Sequence, residues 1–166
     1  MIPDFELQLA VTIKALRDVV LPAVDPANGA AVEQAQLALA TLGMISAHLP
    51  YREKLANTEL ANALAMADSM SDAGATSPGF KAAQETARKR AGDPATDHGD
   101  METARLALLE EMERLLASAP GEHFATWSHA CLAAMQPQLD LQRRWTAGAG
   151  FDPDAAALPA LDDMLR

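Results

Sequence analysis

Residues 100–118 read DMETARLALLEEMERLLAS, and they decide the fold class. Leu108, Leu109, Met112, Leu115 and Leu116 fall on one side of a 3.6-residue helix, joined by Arg105. Glu102, Glu110, Glu111 and Glu113 occupy the other side. Asp100 is placed to cap the helix, and Glu110 and Arg114 are spaced for an i,i+4 pair. No stretch of the chain alternates polar and apolar residues as a half-buried strand does. The same helical period recurs on both sides of this segment, with alanine supplying 36 of the 166 residues.

Working outward toward the N-terminus, a first helix is predicted to start at Asp4, with Phe5, Leu9, Ile13, Leu16 and Val20 as its stripe. Pro22 disfavours a helical Leu21 and should stop it there. Asp25-Pro26-Ala27-Asn28-Gly29 is a turn, with Asn28 capping a second helix near 29–49. In that helix Val32, Leu37, Leu39, Leu42, Met44 and Ile45 point in several directions. A helix apolar on most sides belongs at the centre of a bundle or in a subunit interface. A third helix over 50–71 carries Leu60, Ala63, Leu64, Ala67 and Met70. Ser77-Pro78 opens a short helix to about Arg90, whose only large hydrophobe, Phe80, places it on the surface. Residues 91–100 form a linker.

Toward the C-terminus, Ala119-Pro120-Gly121 breaks the chain. A last long helix from Glu122 uses Phe124, Trp127, Cys131 and Met135 as its stripe, and Pro137 should kink or split it before it ends near Ala147. The expected architecture is all-α: a single antiparallel bundle of five to six helices over residues 1–147 with the second helix central. A tail over 148–166 closes the chain, with a helical turn at Leu161–Leu165.

Composition narrows the function classes. A formal charge of −10 disfavours nucleic acid and anionic membranes as partners. No stretch approaches the roughly 18 apolar residues of a membrane span. The single Cys131 and an acidic N-terminus predict a reducing, cytoplasmic setting. Aromatics make up 4% of residues, so the core must rest on Leu, Ala and Met.

Helical spacing also argues against common catalytic constellations. A di-iron bundle needs Glu-x-x-His, yet Ile45, Ala95, Pro120 and Thr126 stand three before His48, His98, His123 and His129. No two histidines lie three or four apart. Within the cluster Glu122, His123, His129 and Cys131, the histidines fall on opposite sides of a helix. Cys131 sits on an apolar stripe, where burial makes a thiol inert, and His129 points away from it. Gly148-Ala149-Gly150 follows a helix rather than a strand and reads as a helix stop, not a phosphate loop. The expectation is therefore no catalytic residue, no metal ligand and no cofactor.

Two sets of residues remain as candidates. Lys81, Arg88, Lys89 and Arg90 face a single acid, Glu85, within one short helix, and seven acids against Arg105 follow over 93–113. That basic stretch is a solvated helix end or a docking surface for an acidic partner or an anionic ligand. Arg143-Arg144-Trp145 is a smaller spot of the same kind. His48, Asn62 and Trp127 are polar-tipped residues on apolar helices, placed to orient a ligand held between helices; Asn57 shares the pattern.

The run Leu16-Arg17-Asp18-Val19-Val20-Leu21-Pro22-Ala23-Val24, followed by Ala31-Val32-Glu33-Gln34-Ala35, resembles small all-helical bacterial proteins of unknown function over residues 10–65. Some of these are encoded near phosphotransferase-like or acyl-CoA-metabolising enzymes. The resemblance implies an accessory role in small-molecule metabolism and transfers no site residue.

The sequence thus leads to a non-catalytic helical protein that acts by association, as a homodimer or as an accessory subunit of a metabolic enzyme. A module holding a small apolar or acyl-type ligand between helices is the alternative. A metal-dependent enzyme is the least supported reading.

Overall fold

Turn and cap residues set the element boundaries in the computed structural model, which describes residues 4–149 and 152–165. Helix α1 spans Phe5–Ala15 and continues through a π-helical turn, Leu16–Val20, into the short α2, Leu21–Ala23. Leu21 is helical despite preceding Pro22, so the expected stop is displaced to Val24, where the backbone becomes extended. The π turn explains the tolerance. Proline has no N–H to offer the carbonyl four residues back, and widening the preceding turn moves that carbonyl from the ring. The Leu21 N–H donates to the Leu16 carbonyl instead. Asp4 precedes α1, as the predicted start requires, and its side chain makes no capping bond.

Asp25 and Asn28 build the next turn. The Asp25 carboxylate accepts from the Ala27 N–H at 2.9 Å. The Asn28 carbonyl accepts from the Ala31 N–H at 3.2 Å, capping α3, Gly29–His48. Helices α1 and α3 pack on each other. Together they form one of two compact units, Met1–Pro50, in which no described residue is buried. Helix α3 is therefore not the centre of a core. A two-helix hairpin has only one seam, and α3 is apolar on more than one side.

The second unit, Tyr51–Arg166, holds every buried residue among those described. Its centre is α4, Arg52–Asp72. Leu60, Ala63, Ala67 and Met70 make one buried stripe on α4, and Thr58, Asn62 and Met66 an adjacent one. Two stripes let α4 take neighbours on several sides, and the small Ala63 and Ala67 let them approach closely. It packs against α5 (Pro78–Gly92), α6 (His98–Ser118) and α7 (Gly121–Ala134).

The end of α4 is fixed by Gly74, whose φ of 89° places it in the left-handed region. Its N–H donates to Ser71 and that of Ala75 to Met70, both at 2.9 Å, with Ala75 and Met70 buried together as such a helix end requires. Ser77 caps α5 by accepting from the Phe80 N–H at 3.1 Å, and Pro78 opens it as expected.

Phe80 is fully buried, so α5 is not a surface element on its apolar side. Gln84, also buried, donates to Asp68 and Ser71 of α4, each at 3.1 Å. Ala87 completes that face. Helix α6 is capped by Asp97 rather than Asp100. The Asp97 carboxylate accepts from the Asp100 N–H at 2.8 Å, which holds its pKa below the ordinary carboxylate value. Ala104, Leu108, Met112 and Leu115 of α6 enter the core.

Met135 separates α7 from α8, Gln136–Thr146, because Pro137 cannot continue the hydrogen-bond ladder. Cys131 of α7 is buried, whereas Phe124, expected on the core stripe, is exposed. The C-terminal segment folds back on α8. Arg143 grips Asp152 through Nε at 2.7 Å and a second guanidinium nitrogen at 3.2 Å. Helix α9, Leu161–Met164, packs on α8, and Leu165 and Leu141 are buried.

Candidate functional site

Polar side chains that enter the core of the second unit are not scattered. Asn62, 6% exposed on α4, donates from Nδ2 to Gln138 Oε1 on α8 at 3.0 Å. The Gln138 Nε2 donates in turn to Glu59 Oε1 at 3.2 Å. Glu59 Oε2 lies 3.8 Å from Arg105 Nε on α6, and Arg105 reaches Glu102 at 3.4 Å. The result is a chain of amide, amide, carboxylate and guanidinium linking α4, α8 and α6. Its two ionic contacts are long, and Glu59 and Arg105 are both only partly exposed.

Clefts open on both sides of this chain. One, of about 280 Å³, has Glu59, Arg105 and Gln138 on its polar side and Met66, Leu109 and Met135 on its apolar side. Another, of about 330 Å³, is lined by Thr58 and Asn62 of α4, Asp140 of α8, and Pro159, Asp163 and Met164 of the C-terminal segment. Both lie near the lower end of the ~300–1,000 Å³ usual for small-molecule sites. Neither holds a nucleophile beside a base. What the arrangement supplies is hydrogen-bonding capacity and charge over a Met- and Leu-rich wall.

The three residues expected to orient a ligand do different things. Asn62 lines the larger cleft. Trp127 is half-buried, donates from Nε1 to the Ala73 carbonyl at 3.2 Å and stacks on His123 with ring centroids 5.4 Å apart, fastening α7 to the end of α4. His48 closes α3 in the N-terminal unit, and burial pushes its imidazole pKa down, favouring the neutral ring.

The basic stretch is partly neutralised. Arg88 pairs with Asp68 of α4, and Arg90 with Asp100 of α6 at 3.0 Å; Lys81 and Lys89 are exposed. Those pairs bind α5 to its neighbours. The Cys131 thiol is buried, which raises its pKa. Among the described residues no cluster of three His, Cys, Asp or Glu side chains is arranged to hold a metal.

Gln138, Glu59, Asp140 and Asp163 were not singled out from the sequence. Gln138 meets Asn62 across 76 residues, and no local spacing signals such a pair. The one available hint was an amide on the inward side of each of two apolar helices. No protein-family model, curated protein or solved structure matches this chain. Among the described residues no helix is long and apolar enough to cross a membrane.

Proposed function

We propose that this protein acts by association rather than catalysis, pairing with a second copy of itself through the N-terminal helical hairpin. One observation carries the reading. The first unit buries no described residue yet carries eight of the twelve large hydrophobic side chains that are exposed among the described residues, with Phe5 at 67% and Val19 at 66%. These eight side chains leave apolar surface that a second copy can cover.

The partner's chemistry follows from the charge of α3. Leu37, Thr41, Met44 and Ile45 are exposed and share one face, opposite the half-buried Val32, Ala35, Leu39 and Leu42. Across its 20 residues α3 has one acid, Glu33, and neither Lys nor Arg. In a chain of net charge −10, a face with a single acid offers a second copy little repulsion. Antiparallel pairing centred on Thr41 sets the two Glu33 residues about 24 Å apart along the axis, at 1.5 Å per residue. That is some three Debye lengths (~8 Å) at physiological salt, so their repulsion is screened. Two hairpins joined this way close a four-helix arrangement, the usual means of covering such stripes.

Ile45→Glu tests the reading, because an exposed site accepts the carboxylate without unfolding the chain. The variant should sediment as a monomer where the parent is dimeric. Thr41→Cys, made in a Cys131→Ala background, should form an intermolecular disulfide on mild oxidation. An Ile45→Glu protein that sediments like its parent removes α3 from the interface.

A further inference from the structure

We infer, resting on the pairing proposed above, that Met44 of α3 is an oxidation site for a peroxide, and that its sulfoxide releases the second copy. Self-association then depends on the redox state of one thioether.

Exposure singles this side chain out. Met44 is 38% exposed, whereas Met66, Met70 and Met112 are buried and Met101, Met135 and Met164 are half-buried. Met44 is thus the one exposed methionine among the described residues. Its neighbour leaves the approach open, since a Cβ added at Gly43 would meet no atom within 4 Å. The other oxidisable sulfur, Cys131, is buried with a raised pKa, so little of its reactive thiolate is present. A thioether needs no deprotonation, and access alone selects among the methionines.

Position gives the oxidation its effect. Met44 shares the exposed face of α3 with Leu37, Thr41 and Ile45. In antiparallel pairing centred on Thr41 the two Met44 residues lie about 9 Å apart along the axis, at 1.5 Å per residue. The thioether sulfur attacks one oxygen of hydrogen peroxide. The S–O bond forms, the O–O bond breaks, and the other oxygen departs with both protons as water. Sulfur is oxidised and peroxide reduced, with no further reactant. The product is a polar sulfoxide in place of an apolar side chain. The one hydroxyl on that face, Thr41 Oγ1, already donates to the Leu37 carbonyl at 2.9 Å. Covered by a second copy, the sulfoxide oxygen has no donor; in the free chain water supplies one. Met44 is open in the free chain, so oxidation acts there and mass action drains the pair.

The test treats the full chain with dilute hydrogen peroxide, locates the added oxygen by peptide mass mapping, and measures association by sedimentation equilibrium. Met44 should gain its oxygen faster than the six other described methionines. Association should weaken about tenfold or more, with the helical circular dichroism unchanged. A methionine sulfoxide reductase should restore it. In Met44→Leu chains the association constant should be the same before and after peroxide. Three results overturn the inference while leaving the pairing in place: oxygen spread evenly over the methionines, a chain oxidised at Met44 that pairs as tightly as before, or an equal peroxide response in Met44→Leu. A parent that is monomeric before peroxide overturns the pairing itself, and the inference with it.

Discussion

Replacing Phe80 with alanine removes a fully buried ring from beneath α5, a helix otherwise rich in Lys, Arg, Gln and Glu. The ring belongs to the same core cluster as Leu60, Ala67, Met70, Leu108 and Met112. These side chains come from three helices packed on one another, so the site has little freedom to collapse into the space left. Phenylalanine-to-alanine changes in such settings cost about 3–5 kcal/mol. For a unit of this size that corresponds to a fall in Tm of about 12–20 °C, at ~4 °C per kcal/mol. Urea denaturation followed at 222 nm reads the change as a lower midpoint with an unchanged slope. Leu132→Ala, at a side chain 63% exposed, is the matched control and should cost less than about 0.5 kcal/mol. A Phe80→Ala loss below about 1 kcal/mol would refute the docking of α5 on α4 and α6, since a surface phenylalanine is worth no more than that.

Three further outcomes follow from the ionisable groups. Burial lowers the His48 pKa, so the unfolded chain takes up its proton first as pH falls; stability is full above the ordinary imidazole value of about 6.5, declines as pH drops below it, and the decline should vanish in His48→Gln when unfolding is measured from pH 8 to 5. Arg143 hydrogen bonds hold the Asp152 carboxyl below its ordinary pKa, so their contribution is complete above about pH 4 and lost as pH falls further. Arg143→Ala should remove that acid-labile step and speed amide exchange at Leu165. Cys131 should react with a disulfide reagent at pH 8 only as fast as the protein opens, so that one molar equivalent of denatured chain reacts at once while the native chain reacts far more slowly.

Local chemistry made much of the helical layout legible. Asn28 and the Ser77-Pro78 pair are caps whose effect is confined to three or four residues, and both act where their spacing places them. The start of α6 was harder, because Asp97 and Asp100 are both competent caps. Asp97 takes the role, its carboxylate accepting from the Asp100 N–H at 2.8 Å. Phe80 shows a different limit. Averaged over its helix, α5 reads as a surface element, but burial is decided face by face, and Phe80, Gln84 and Ala87 share one face. Helix α3 carried the reverse ambiguity. An all-round apolar pattern fits a core or an interface equally, and the lack of buried residues among those described in its unit speaks only against the core. Of the polar chain, Asn62 alone stood out in the sequence, because its partners Gln138, Glu59 and Arg105 are assembled by helix packing across tens of residues.

The account rests most heavily on the hairpin as a surface for a second copy. Sedimentation equilibrium of the full chain, from about 200 μM down to 1 μM, tests it most directly. The account predicts a mass of twice the 17.6 kDa chain at the upper end, falling toward one chain on dilution or with Ile45→Glu. A mass of 17.6 kDa at every concentration would contradict it.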